Sequence, residues 1–203
     1  MVDNYSPLEL SSSQIKLAPT HFPVHPLIRQ RWSARSFADR PIAQQELLTL
    51  FEAASWTFSA MNAQPWRFIY SHRDTDHFPG MVDCLSPGNQ RWAKHAAVII
   101  ASLVRLHYED GSPNGSAHHD VGSAHANLLI QATSMGIYGH LMGGFDKSKS
   151  LEFLGLDAAE FDIAVFIALG YLHDPESLDE PFRTRELTVR ARKKAEEFTF
   201  ELK

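Results

Sequence analysis

The chain has 203 residues, 44% hydrophobic and 21% charged, which is enough apolar material for the core of one domain with arms and too little charge for a disordered chain. A formal net charge of −5 argues against a nucleic-acid binder working by overall charge, and the longest nearly apolar runs, Ala96–Val104 and Ile163–Leu172, are about half of what a bilayer crossing requires. The single cysteine, Cys84, cannot form an internal disulfide, and the first residues lack the basic-then-apolar pattern of a secretory signal, so a cytoplasmic setting is expected.

In chain order, residues 1–28 hold Pro7, Pro19, Pro23 and Pro26 with a Ser11–Ser13 run and read as an extended arm that needs a surface to lie on. Leu47, Leu50, Phe51, Ala54 and Phe58 recur at helical spacing around Glu46, a first-turn carboxylate, which predicts a helix starting between Asp39 and Ala43. Trp66–Tyr70 reads as a short strand after the Gln64–Pro65 break and Ala96–Val104 as a buried strand, with a mixed signal between them. Gly111, Pro113, Asn114 and Gly115 make Arg105–His119 a long loop. Val121, Ala124, Leu128, Leu129, Ala132 and Met135 form the apolar face of a second helix that stops at Gly136. Asp146 can cap a short helix through Leu154, Asp162–Leu172 reads as a buried strand, and the polar tail beyond Arg183 ends in Phe198 and Phe200. Strands separated by helices predict a layered α+β or α/β domain.

No Gly-x-Gly-x-x-Gly or Gly-x4-Gly-Lys-Ser/Thr loop is present, so any bound phosphate must be held by side chains. Nor is there a Gly-x-Ser-x-Gly nucleophile elbow. Arg31-Trp32-Ser33-Ala34-Arg35 sets two guanidinium groups and a hydroxyl within five residues, and Arg183-Thr184-Arg185 forms a later basic pair; either could meet one anion or be solvated surface charge. In Asn62-Ala63-Gln64-Pro65-Trp66, two carboxamides suit the edge of a heteroaromatic ring, or equally a helix cap before a proline break. The Gly143-Gly144 pair would let backbone N–H groups approach a planar ligand, or merely make a turn. A rival set, His118, His119, Asp120 and His125, offers metal-ligating types without helical ligand spacing, as a metal-dependent hydrolase would need. The basic run Arg190–Lys194 is followed at once by Glu196 and Glu197 and reads as a solvated helix face.

Taken in order, Arg-x-Ser-x-Arg, a helix, Asn-x-Gln-Pro-Trp-x-Phe, an Ala/Leu-rich helix, a glycine pair, a Leu-Gly-Tyr strand end and a late Arg-x-Arg resemble the FMN-dependent nitroreductase family from about Arg29 to Thr188. The resemblance implies an arm over residues 1–28, an FMN-binding domain over 29–188 and a tail over 189–203. It also implies a three-layer sandwich whose central sheet is mixed but mainly antiparallel, assembled as a homodimer. The cofactors it implies are FMN and NADH or NADPH, with chemistry at flavin N5 and no catalytic side chain. Reduction of nitroaromatic, quinone or similar acceptors would be ping-pong; a flavin binder without such turnover is the nearer alternative.

Position by position, Arg31 and Ser33 match contacts to the FMN phosphate and ribityl chain, with Trp32 between them, and Arg183 and Arg185 match a basic pair on the same phosphate. Arg35 matches a cation near flavin N1 and O2, and Asn62, with Gln64 beside it, matches an amide reading the pyrimidine edge. Met142, Gly143 and Gly144 match the turn at N5, where many relatives carry Glu in place of Gly143. Tyr108 and His140, and with them Trp56 and Phe58, are candidates for the face that stacks on substrate. Metal and nucleic acid are not expected partners.

Overall fold

The computed structural model describes residues 11–202. Its centre is one four-stranded sheet of β1 (Trp66–His72), β2 (Val98–Arg105), β3 (Ile137–Met142) and β4 (Phe161–Tyr171), in the order β1-β2-β4-β3. Every pairing is antiparallel, so the mixed sheet expected from the resemblance is here antiparallel throughout. β2 and β4 hold the middle because both are almost continuously apolar, and β2 is buried at all positions but Arg105. The register of β2 against β4 shifts between Ser102 and Leu103.

Helices cover both faces. On one, α3 (Gln44–Ser55) and α6 (Ala117–Ser134) lay Leu47, Leu50, Val121, Ala124, Leu128 and Ala132 against Val98, Ile100, Ile137, Ile167 and Leu169. On the other, α4 (Phe78–Asp83), α5 (Pro87–Ala93) and α8 (Phe182–Glu186) bring Phe78, Met81, Trp92 and Phe182 onto Ile99, Ala101, Tyr138, Phe166 and Ala168. This is a three-layer α+β sandwich. Glu46 closes the start of α3 by accepting the Ala43 N–H at 2.8 Å, and α7 (Lys147–Leu154) begins where Asp146 accepts the Lys149 N–H at 3.0 Å. α6 stops at Gly136, whose φ of 72° continues the chain in a conformation glycine adopts without strain.

Three local expectations change. The described part of the arm is not simply extended: α1 (Ser11–Ile15) and α2 (Pro26–Gln30) are helical, with Pro26 at the first turn where its missing N–H costs nothing. The helix bearing Val121 begins four residues earlier, at Ala117, and so takes in His118 and His119. β3 lies between the Gly136 stop and the Gly143-Gly144 pair, where no element is expected from the sequence. Its Gly139 and His140 weaken strand propensity, but a Cβ at Gly139 would lie 2.3 Å from Leu129 Cδ2, so the bare backbone is what lets α6 lie close.

A second glycine fixes the segment that follows α2. Phe37 bridges to Leu172, the Ala38 N–H donates to the Tyr171 carbonyl at 2.8 Å, and the Phe37 ring covers Gly170, where an added Cβ would lie 2.6 Å from its Cδ1. Gly170→Ala should therefore destabilise the protein by about 1–3 kcal/mol through overpacking, measured as a fall in the urea midpoint at unchanged slope; an unaltered midpoint would mean that Phe37 yields freely.

Candidate functional site

The segment after α2 is extended, with residues facing alternately in and out: Trp32 and Ala34 are buried, Arg31 and Arg35 are partly buried, and Ser33 is exposed. Phe37 and Ala38 hang it on β4, so the outward set has a fixed direction. The C-terminal segment returns over it. Arg190 donates from Nη1 to the Arg31 carbonyl at 2.6 Å and from Nη2 to the Arg29 carbonyl, which brings Arg192 within electrostatic reach of Arg31. From the other side, Lys16 is buried and donates to the carbonyls of Arg185 and Thr188, each at 2.6 Å.

The charge balance here is one-sided. Glu186 is the one carboxylate among the described residues whose charge acts noticeably on Lys16 and Arg35. It is 1% exposed, accepts from Trp32 Nε1 at 3.0 Å, and its other oxygen lies 3.9 Å from Arg35 Nη1 without a hydrogen-bond partner among the described residues. Burial pushes its carboxyl above the usual range, while Trp32, Arg35 and Lys16 pull it back. Burial and then the charge of Arg192 lower Arg31; burial lowers Arg35, with Glu186 opposing and Arg185 adding to the effect. The Arg31 guanidinium and the Ser33 hydroxyl have no partner among the described residues. An arginine that stays charged beside other cations, with its donors unused, is suited to an anion.

The predicted residues divide around this cluster. Arg31, Ser33, Arg35 and Arg185 belong to it. Arg183 stands apart: its Nε meets Glu180 at 3.0 Å and its Nη1 meets Glu176 at 3.4 Å, so its charge is already paired with two carboxylates. Arg192, read from the sequence as part of a solvated helix face, stands nearer Arg31, and Arg190 straps the tail down; neither lies in a helix. The run of four basic residues was visible, but its return to Arg31 is a tertiary fact. Trp32 and Met142 are core residues, 3% and 2% exposed. Gly143 leaves β3 on the same edge, with space for a Cβ and nothing within 4 Å, while Gly144 is packed under Ser86 and Asn89. His140 is buried between the Ala34 carbonyl, 3.1 Å from Nδ1, and the Trp92 ring, 4.6 Å between centroids, which places it beneath segment 31–35.

Asn62 and Gln64 lie at the opposite edge, just before β1. Met61, Asn62 and Gln64 all have positive φ, between 47° and 54°, a conformation costing a non-glycine residue roughly 1 kcal/mol or more. The loop is held in it by Ala60 N–H to Asp120 Oδ2 at 3.0 Å, by Gln64 N–H to Ser59 Oγ at 3.1 Å and by Arg67 Nη1 to the Gln64 carbonyl at 2.9 Å. Both carboxamides are exposed and line a cleft of about 740 Å³ with Met61, Trp66, Arg105 and Tyr108. Trp56 and Phe58, 81% and 68% exposed, stand at the end of α3 nearby in the chain.

The rival histidines are dispersed. His118 meets Asp162 at 3.3 Å, His119 meets Asp120 at 3.2 Å, and buried His125 meets Ser102 Oγ at 2.6 Å. Among the described residues no three His, Cys, Asp or Glu side chains gather to hold a metal ion, and no helix is long and apolar enough to cross a membrane.

Fold and site together define a small α+β protein with a cluster of arginines beside one edge of its sheet. The family model described as "Nitroreductase family" matches residues 28–83 and 84–171, and the chain belongs to that family. Among relatives, a protein of Archaeoglobus fulgidus provisionally named NADH dehydrogenase/NAD(P)H nitroreductase is 28% identical over 160 residues, covering 76% of this chain and 88% of its own. A solved structure described as an oxidoreductase containing FMN is 35% identical, with a TM-score of 0.87 over 92% of this chain and 95% of that one. A provisionally named nitroreductase of Desulfovibrio desulfuricans, solved in complex with FMN, shares the fold at a TM-score of 0.71 and 23% identity, over 91% of this chain and 99% of that one.

Two buried rings make the fold acid-sensitive. Burial lowers His125 to about 4, and burial followed by the charge of Arg35 lowers His140 to about 4. Both lie below the value of an unfolded histidine, so the unfolded chain binds protons first as pH falls. Their contribution is complete above about pH 6.5 and declines between 6.5 and 4, by on the order of 3 kcal/mol for each ring. His140→Asn should flatten roughly half of this fall in urea midpoints measured at pH 7 and pH 4.5; a profile identical to wild type would show that His140 does not titrate as argued.

Proposed function

We propose that the protein is an FMN-dependent oxidoreductase that uses NADH or NADPH to reduce electron-poor planar acceptors such as nitroaromatics and quinones, in ping-pong fashion. The observation that carries this reading is the segment fixed to the sheet that carries Arg31, Ser33 and Arg35, with Arg192 within electrostatic reach of Arg31, and Arg185 and the buried Glu186 within reach of Arg35. Family membership and the FMN-containing relative support the cofactor. When bound, FMN supplies hydride chemistry at its N5 atom, accepting from the dinucleotide and donating to the acceptor.

The residues present fit that group. Arg31 and Arg192 offer unpaired charge to a phosphate, with Ser33 adding a hydroxyl donor. Arg35, held beside Glu186, sets a partly compensated cation where negative charge on a reduced ring would need one. Gly143 leaves β3 with no side chain to block a planar ligand. The chain's own work is to bind, orient and charge-balance; no nucleophile or metal is required.

The amides enter by assembly. β1 and β3 are the two edges of the sheet, about 14 Å apart at ordinary strand spacing, so Asn62 and Gln64 stand away from the arginine cluster of their own chain. A homodimer would set the 59–64 loop of one subunit against the cluster of the other. The exposed Trp56, Phe58 and Met61, and Phe198 and Phe200 of the tail, supply apolar surface for such a contact. Buried and unpaired, Cys84 suits a reducing cytoplasmic setting.

The purified protein should be yellow, or become so on adding FMN, and lose its visible band on anaerobic addition of NADH or NADPH. Arg31→Ala and Arg192→Ala should each weaken FMN binding by about 10- to 100-fold, as expected for the loss of one charge-assisted contact of roughly 1.5–3 kcal/mol. Arg183→Ala, whose partners are Glu176 and Glu180, should not. Equilibrium titration of flavin fluorescence checks both, and equal losses at Arg31 and Arg183 would remove the distinction drawn here.

A further inference from the structure

Among the described residues, every arginine side chain but two finds an acid, a carbonyl or an aromatic face. Arg29, Arg67, Arg190 and Arg192 donate to carbonyls, Arg35, Arg73, Arg91 and Arg183 meet carboxylates, and Arg40 and Arg185 lie against the rings of Tyr171 and Phe182. The exceptions are Arg31, in the cluster described above, and Arg105. Arg105 ends β2 and is partly buried, and its backbone N–H donates to the Pro65 carbonyl at 2.8 Å, which fixes where its side chain departs. Arg105 is one of the residues lining the 740 Å³ cleft, together with Trp66, Tyr108 and residues of the 61–64 and 107–112 segments.

We propose that Arg105 makes this cleft a recognition site for the carboxylate of a planar aromatic acceptor. This rests on the reading that the Asn62 and Gln64 edge meets the flavin, since an acceptor stacked there would extend toward Arg105. A guanidinium with its fork unused matches a carboxylate in plane, and the Tyr108 ring supplies an apolar wall for the aromatic portion. Glu109 and Asp110 also line the cleft and discriminate between anions. Asp110 is engaged by the Ser112 hydroxyl at 2.6 Å and amide at 2.9 Å, and Glu109 is exposed. Their charge repels a dianionic phosphate more strongly than a monoanionic carboxylate, which selects the acceptor's acid group over the phosphates of a dinucleotide. Arg67 is pinned to the Gln64 and Trp66 carbonyls and acts on the loop instead.

The test uses the FMN-loaded protein and two probes. Benzoate, which carries the carboxylate and ring but nothing to reduce, is titrated by calorimetry into wild type, Arg105→Gln and Arg105→Lys. In parallel, kcat/KM is measured for 4-nitrobenzoate and 4-nitrobenzamide. The expected result is benzoate binding weakened about tenfold or more in Arg105→Gln and less in Arg105→Lys, with the nitrobenzoate-to-nitrobenzamide ratio falling by the same factor. Benzoate binding that is absent in wild type, or equal in wild type and a folded Arg105→Gln, overturns the proposal. Benzoate binding lost on substitution in a protein that reduces neither nitro compound upholds the carboxylate site and removes the reductase reading.

Discussion

The structure depends on an imbalance of charge that the fold maintains at its own expense. Arg31 lies within electrostatic reach of Arg192, and Arg35 within reach of Arg185 and Lys16, while Glu186 is the one carboxylate among the described residues that acts on Lys16 and Arg35. A fold optimised only for stability would interleave acids here, since like charges in partly buried surroundings repel. Backbone fastenings hold the group instead: Arg190 onto the carbonyls of Arg29 and Arg31, Lys16 onto those of Arg185 and Thr188, and Phe37 onto Gly170. The Arg190 fastening fixes the backbone of Arg31 and leaves the Arg31 guanidinium without a partner among the described residues. Rigid support under an uncompensated charge is the arrangement expected for a preorganised anion site.

The far edge of the sheet follows the same logic with strain in place of charge. Met61 and Gln64 adopt left-handed backbone that their side chains disfavour, and Asp120, Ser59 and Arg67 hold them there. Asp120 is buried in α6, so the helix covering the sheet also braces the loop. The arginine cluster and the strained amides thus stand at opposite edges of the sheet, with Trp56, Phe58 and Met61 exposed near the amides in the chain; in the homodimer proposed above, each edge would be completed by the partner subunit.

The fold was largely legible in the sequence, for reasons visible in particular residues. α3, α6, β2 and β4 each have an apolar pattern set by burial against the sheet, and that pattern persists whatever the partner element is. Gly136 and Asp146 marked their helix boundaries through local chemistry. β3 was hidden because Gly139 and His140 are there for tertiary reasons, one to admit Leu129 and the other to reach the Ala34 carbonyl. The short helices α1 and α2 were hidden because prolines dominate their surroundings.

Of the candidate site, the sequence by itself determined the residue types and their order: Arg31, Ser33 and Arg35 in alternation, a pair of amides ahead of a strand, and a glycine pair after another. Only the tertiary structure decided which of the late arginines returns to Arg31. Arg183 and Arg192 are alike in composition and neighbourhood along the chain, but Glu176 and Glu180 lie beside the first, and the Arg190 strap carries the second across the segment after α2. Sequence spacing records what a residue can donate; whether that donor is already spent depends on groups brought near it by folding.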